Sequence, residues 1–242
     1  HSLDAPFDYV ESNLTGHLTV LEGCRRTGVA HLVYASSSSV YGLNATPFRA
    51  SDRTDHPVSL YGATKKANEL MTHAYAHLFG VPSTGLRFFT VYGPWGRPDM
   101  ATFKFTRAIL AGEPIHVFGH GEMRRDFTYV GDIADSVVAL LGRAPGADPA
   151  WTLEAGDPAA SSAPHRVFNI GNGEPVLLMD FIRTLEGLLG RKANLLLEEL
   201  QPGDLLETSS DTEPLARLLG AAPYTPLAEG LARFVAWYRE FY

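Results

Sequence analysis

Apolar residues recur at helical spacing at Val10, Leu14, Leu18 and Leu21, which predicts a helix from Asp8 to Thr27 with Gly28 as its C-cap. The apolar run His31–Ala35 then reads as a buried parallel strand. Gly42–Val58, rich in Pro, Asp and Thr, reads as a surface loop. A second helix covers Ser59–Phe79 and is stopped by Gly80-Val81-Pro82. Ser83–Thr90, with Leu86, Phe88 and Phe89, is the next strand. Further along, the pattern predicts a helix over Met100–Ala111, a strand over Ile115–Gly119 and a turn over Gly119–Met123. A helix runs to about Leu141 with Asp132 as its cap. Ala144–Pro164 is rich in Ala, Pro, Gly, Ser and Asp and reads as a loop pinned by Trp151. The remainder divides into a strand Val167–Ile170, a helix Leu178–Gly190, a strand Asn194–Leu200, and helices Thr212–Leu219 and Leu227–Tyr242. No internal repeat is visible.

Strand–helix–strand alternation of this kind predicts right-handed crossovers and a parallel sheet, hence an α/β fold. Such sheets bind ligands beyond the carboxyl ends of their strands, where the serines after Ala35 and Thr90 both fall.

With 242 residues the chain is long enough for one sizeable α/β unit or two small lobes. A net charge of −7 disfavours nucleic acid or an anionic membrane as partner. The single cysteine, Cys24, can form no internal disulfide and no thiolate metal site, and its helical setting reads as a small buried hydrophobe. No apolar run is long enough to span a bilayer, and no stretch reads as a signal peptide, so a cytoplasmic enzyme is expected.

The chemistry concentrates between Ala35 and Lys65. Ser36-Ser37-Ser38-Ser39 follows the first strand, then Val40-Tyr41-Gly42, and Tyr61-Gly62-Ala63-Thr64-Lys65 opens the second helix. Spacing of i,i+4 puts Tyr61 and Lys65 on one helix face. A phenol beside an ammonium has its phenolate favoured, and a strand-end hydroxyl can share the same substrate oxygen. That arrangement suits moving a proton on or off an alcohol. Taken alone, a Tyr–Lys pair at this spacing reads first as a solvated surface pair.

The order of strand, Ser run, Val-Tyr-Gly and Tyr-x-x-x-Lys resembles the extended short-chain dehydrogenase/reductase family, in its NAD-dependent epimerase/dehydratase branch. Ser36–Gly42, Ser59–Asn68, Gly85–Met100, Arg125–Ile133, Leu177–Phe181 and Gln201–Asp204 together are similar to bacterial UDP-glucuronate 4-epimerases. The run Arg87-Phe88-Phe89-Thr90-Val91-Tyr92-Gly93-Pro94-Trp95-Gly96-Arg97-Pro98 is the most specific of them. The resemblance implies Tyr61, Lys65 and Ser37 as catalytic residues. It implies Asn13, Ala35, Ser36, Tyr61, Lys65 and Phe88 as contacts of a bound NAD. It implies Ser37, Ser38, Ser39, Thr90, Arg97, Thr102, Val117, Phe118, Arg125, Gln201 and Asp204 as contacts of a UDP-sugar. Read without it, Arg97 is a loop arginine facing water, Arg125 a partner of Asp126 or Asp132, Phe118 a core residue and Asn13 an exposed polar residue. Gln201 stands where galactose epimerases carry an Arg, and Leu205-Leu206-Glu207-Thr208 departs from the family's residues after Gly203-Asp204.

The chain contains no Gly-rich strand-to-helix fingerprint and no acidic residue placed after one to take a ribose hydroxyl. The implied fold is the C-terminal part of a Rossmann-type doubly wound parallel sheet plus a smaller mixed α/β substrate-binding lobe. Residues 1–93 form the cofactor domain without its N-terminal part, with 126–143 and 166–171 returning to it. Residues 94–125 and 172–242 form the UDP-sugar lobe, and 144–165 an insertion. The implied function is NAD-dependent 4-epimerisation of UDP-glucuronate to UDP-galacturonate through a 4-keto intermediate, in a homodimer with no metal. Alternatives are a UDP-hexose 4-epimerase, a 4,6-dehydratase, for which Ser38-Ser39 offer no acidic residue, or a non-catalytic nucleotide-sugar-binding protein.

Overall fold

The computed structural model describes residues 2–201, 204–220 and 224–242. Helix α1 (Pro6–Val10) passes through a π-helical turn at Glu11–Thr15 into α2 (Gly16–Thr27), and Gly28 ends it at φ +64°. The helix expected over 8–27 therefore carries a bulge of the kind that tends to sit at functional sites. Of its four apolar positions, Leu21 is fully buried, whereas Val10 and Leu18 are exposed. Cys24 is half-buried rather than buried, because the last turn of α2, with Arg25 and Arg26, lies at the surface.

Strand β1 (Leu32–Ser37) leads through a 3-10 turn at Ser38–Tyr41 and a long loop to α3 (Leu60–Phe79). The Ser59 hydroxyl caps α3 by accepting from Gly62 N at 3.0 Å, and Gly80 ends the helix in the left-handed region. Next come β2 (Ser83–Phe88), β3 (Thr90–Tyr92), α4 (Ala101–Ala111), β4 (Pro114–Val117), β5 (Arg124–Arg125) and β6 (Phe127–Tyr129). They are followed by α5 (Val130–Leu141), β7 (His165–Ile170), β8 (Val176–Leu177), α6 (Leu178–Leu189), β9 (Asn194–Leu197), α7 (Glu213–Leu219) and α8 (Leu227–Phe241).

The main sheet is parallel, in the order β1-β2-β7, with Ser37 opposite Phe88 and Phe88 opposite Ile170. Central β2 is buried from Ser83 to Arg87, as befits a strand covered on both faces. One core lies against this sheet, where Leu86 and Ile170 meet Ile133 and Leu140 of α5 and Leu215 of α7. A second core joins α4, α6 and α8 around Phe103, Ile109, Phe181, Leu185, Leu231 and Phe234. The remaining strands form the parallel pairs β3-β6 and β4-β9 and the antiparallel pair β5-β8.

The strand expected over Ser83–Thr90 breaks at Phe89, whose buried ring lies 6.3 Å from Phe48. Thr90 thereby opens β3 and donates its N–H to Asp126 O at 3.0 Å. Asp132 is not a helix cap. Tyr129 occupies the N-cap of α5, and the Asp132 carboxylate instead accepts from Thr225 N at 2.8 Å and Thr225 Oγ1 at 2.7 Å. The strand expected over Ile115–Gly119 ends at Val117, because Gly119 and His120 turn to φ +57° and +51°. β9 ends at Leu197 rather than Leu200. The 144–164 segment is irregular, with Trp151 Nε1 donating to Asp157 O at 3.0 Å.

Candidate active site

The first turn of α3 is pressed against the serine run. A Cβ on Gly62 would lie 2.5 Å from Ser39 O, so this position must be glycine for Tyr61 to stand beside the end of β1. Ser37 ends the strand and turns its hydroxyl inward: its Oγ accepts from Ser39 N and donates to Ser39 Oγ, both at 3.2 Å. Tyr61 is half-buried, and the ring of Tyr9 on α1 meets it edge-on at 6.0 Å between centroids. The π turn carries Asn13 onto the same helix. Asn13 Nδ2 donates to Thr64 Oγ1 at 2.9 Å, and Asn68 Nδ2 donates to Asn13 O at 2.6 Å. Thr64 and Asn68 bracket Lys65 along α3, so the bulge braces the face that Lys65 presents.

Lys65 is half-buried, and among the described residues its ammonium has no hydrogen-bond partner. Burial lowers its pKa, and the negative charge of Glu69 one turn on opposes that fall. His17 on α2 is pushed down to about 4 by burial and by the charge of Lys65. An orphaned cationic donor set at the rim of a polar site is a ready anchor for a ligand's hydroxyls.

Two cavities carry several of the implied substrate contacts, and neither is lined by Tyr61, Lys65 or Ser37. One, of about 210 Å³, is lined by Ser38, Ser39, Ser59, Thr90, Arg125 and Asp204, among others. The other, of about 650 Å³, runs along α4 and is lined by Phe105, Phe118, Phe127, Arg125, Thr90 and Gln201. Thr90 and Arg125 belong to both, so the cavities meet there. Arg125 forms no ion pair with Asp126 or Asp132. Its guanidinium donates to Leu206 O at 3.3 Å and Arg124 O at 3.1 Å, burial lowers its pKa, and the nearby charge of Asp204 works against that. The buried Asp126 is occupied elsewhere, accepting from Asn172 N at 2.7 Å, Gly173 N at 3.0 Å and Ser210 N at 3.0 Å. Those bonds fix the backbone on which Arg125 is mounted.

Val117, Thr102, Ser36, Phe88, Ala35 and Arg97 line neither cavity. Val117 is fully buried in the second core, and Thr102 lies on the buried face of α4. Ser36 is buried and its hydroxyl donates to Glu69 Oε1 at 2.6 Å, which commits its one O–H donor. Phe88 packs into the core between the main sheet and α5. Ala35 is exposed on β1, which pairs on one edge with β2. Arg97 is exposed and its Nε donates to Asp99 Oδ1 at 3.0 Å. Gln201 and Asp204 are exposed, with Asp204 N donating to Gln201 O at 3.0 Å, and Gly203 lies outside the described residues. Sequence reasoning missed Lys104, Arg107 and His116, which line the larger cavity. The signal for the first two was the polar face of α4, where Lys104 and Arg107 stand three apart, opposite Phe103, Thr106 and Ile109; His116 is on β4.

Comparison with known proteins gives a consistent set of likenesses. Residues 1–156 match the model of the NAD dependent epimerase/dehydratase family. A 37.6 kDa protein of Escherichia coli O111:H- is 59% identical over 243 aligned positions, spanning 100% of this chain and 73% of that protein. A probable UDP-glucuronate 4-epimerase of Rhizobium meliloti is 47% identical, over 100% of this chain and 72% of that one. The crystal structure of UDP-glucuronic acid 4-epimerase from Bacillus cereus, in complex with UDP-glucuronic acid and NAD, superposes with a TM-score of 0.82 at 30% identity. That match covers 96% of this chain and 69% of the Bacillus one.

Proposed function

The chain belongs to the NAD dependent epimerase/dehydratase family, and we propose that it takes part in the 4-epimerisation of a UDP-uronic acid, converting UDP-glucuronate to UDP-galacturonate through a 4-keto sugar. The observation that carries this reading is the meeting of the two cavities at Thr90 and Arg125, next to Ser38 and Ser39. A nucleotide sugar laid across that junction has its diphosphate at Arg125, its uracil along Phe118 and its sugar at the serine hydroxyls. Asp204 and Gln201 stand at the rim for the ribose. Tyr61 takes the proton of the sugar 4-hydroxyl and later returns it, with Ser37 sharing the same oxygen. Bound NAD supplies the acceptor and donor of the hydride. Lys65 fits its ribose, being half-buried and unpartnered among the described residues, and Asn13 braces the helix face on which Lys65 stands. Thr90 and the serines offer the sugar carboxylate hydrogen bonds, and holding it in place disfavours loss of carbon dioxide from the β-keto acid.

We further propose the division into a cofactor unit, containing β1, β2, β7, α3 and α5, and a sugar unit built on α4, α6 and α8. A cytoplasmic homodimer completes the reading: Leu70 and Leu78 on α3 and Val20 on α2 are exposed apolar residues suited to a second copy. Among the described residues no helix is long and apolar enough to cross a membrane. One observation favours a second reading, a UDP-hexose 4-epimerase: Arg97 is paired with Asp99 and exposed, so it does not present a free cation to a uronate. The test is incubation of the intact protein with UDP-glucuronate and NAD, followed by NMR of the product. UDP-galacturonate formed by wild type and formed far more slowly by Tyr61→Phe supports the proposal; no conversion by wild type refutes it.

A further inference from the structure

Directly beneath the Tyr61–Lys65 face lies a buried ion pair that the proposed chemistry does not use. Glu69 and Arg87 are each 3% exposed. Arg87 on β2 grips the carboxylate with both arms, Nε to Oε1 at 2.8 Å and Nη2 to Oε2 at 2.9 Å. The same Oε1 accepts the Ser36 hydroxyl at 2.6 Å, one residue before Ser37. The third arm of Arg87 donates to Tyr41 Oη at 2.9 Å and to Ala50 O at 3.2 Å. Tyr41 in turn donates to Asn169 Oδ1 at 2.5 Å on β7. A single network thus ties α3 to all three strands of the main sheet at their carboxyl ends.

Glu69 stands four residues after Lys65 and eight after Tyr61, so the three share one face of α3. We infer that the Glu69–Arg87 pair is a positioning unit for the acid–base site, clamping the Ser36–Ser37 strand end to the helix that carries Tyr61 and Lys65 and balancing the charge beneath Lys65. The inference rests on the epimerase reading for the roles of Tyr61 and Lys65.

The electrostatics agree with the geometry. Burial pushes the Glu69 carboxyl up, yet the Arg87 bonds and charge outweigh it and hold the group ionised below its ordinary range. Burial pulls Lys65 down, and Glu69 opposes it. The other titratable groups around the pair are Tyr34 on β1, Tyr41, His165 on β7, His17 on α2, Lys66 and His73 on α3, and Asp55 in the loop before α3, of which Asp55, Lys66, His73 and His165 line one cavity with the pair. Of these, Lys66 carries the extra positive charge, with Nζ 3.3 Å from Glu69 Oε2.

Two readouts on the intact protein test the inference: the pH midpoint for amine labelling of Lys65, followed by mass spectrometry, and kcat and KM for UDP-glucuronate. Glu69→Gln removes the negative charge and leaves that of Arg87, so the Lys65 midpoint falls by about one pH unit. Arg87→Met leaves Glu69 unbalanced, so the midpoint rises. Ser36→Ala keeps every charge: the midpoint holds, kcat falls roughly tenfold and KM is unchanged. Midpoints that stay fixed in both charge variants, or move the same way, overturn the inference, since a purely structural pair would do just that. Should Arg87→Met fail to fold, Glu69→Gln against Glu69→Asp decides it: the midpoint falls in the first and holds in the second, and equal midpoints overturn the inference. A wild type without turnover whose variants still shift in opposite directions fails the reaction assignment while supporting the pair's charge balance.

Discussion

Acidification should unfold this protein partly through one histidine, His165. It begins β7, is 8% exposed, and sits with Nε2 3.1 Å from Tyr34 Oη and its ring 5.4 Å from that of His73. Burial first, then the charge of His73, push its pKa from 6.5 down to about 4. The folded state therefore prefers the neutral ring, and below pH 6.5 the unfolded chain binds more protons than the folded one. The stabilisation is complete above the unfolded value, declines as pH falls towards 4, and is gone below it. A gap of some 2.5 units corresponds to roughly 3 kcal/mol, taking about 1.4 kcal/mol per unit. Urea unfolding at pH 7.5, 6, 5 and 4 measures it, with His165→Gln as the non-titrating reference. Wild type should lose about 2–3 kcal/mol more than His165→Gln between pH 7.5 and 4. Identical losses in the two proteins would show that His165 does not titrate as its burial requires.

Gly62→Ala places a methyl 2.5 Å from Ser39 O and should cost about 1–3 kcal/mol of thermal stability while lowering turnover, as calorimetry and a rate assay would reveal. An unchanged melting temperature would mean that the first turn of α3 is not pressed against the serine run. Arg125→Met removes the cation shared by both cavities and should weaken UDP binding by about 10- to 100-fold in calorimetry, since a charged hydrogen bond is worth about 1.5–3 kcal/mol. Tyr61→Phe should lower kcat by roughly 10²–10⁴-fold with little change in affinity; near-normal turnover would remove Tyr61 from the chemistry.

Much of this arrangement is written in local pattern. Gly28, Gly80 and Gly190 each end a helix at positive φ where the pattern placed a stop, because only glycine adopts that conformation without strain. Tyr61 and Lys65 share a face because α3 is regular, and its cap, Ser59, is a strong local signal. What the sequence hid depends on contacts far along the chain. The π turn at Glu11–Thr15 goes with a bond donated by Asn13 to Thr64 and one accepted from Asn68, more than 50 residues on. Ser36 looked like one more site hydroxyl until Glu69, 33 residues away, claimed it. The break at Phe89 follows from Phe48, which is buried against it. Strands as short as β5 and β8, two residues each, have no periodicity to read. Arg87 stood in the sequence only as the first residue of the Arg87–Pro98 run, and its buried partner, Glu69, lies 18 residues back on another element.

The central claim is uronate 4-epimerisation, and the most direct test is kcat/KM of the intact protein for UDP-glucuronate against UDP-glucose, repeated with Thr90→Ala. Thr90 and the serines would bond a carboxylate and be left unpaired around a hydroxymethyl group. At about 1.4 kcal/mol for each factor of ten, losing one such bond predicts at least tenfold preference for UDP-glucuronate, eroded in Thr90→Ala. Equal efficiencies for the two sugars in wild type would contradict the uronate assignment and promote the hexose epimerase in its place.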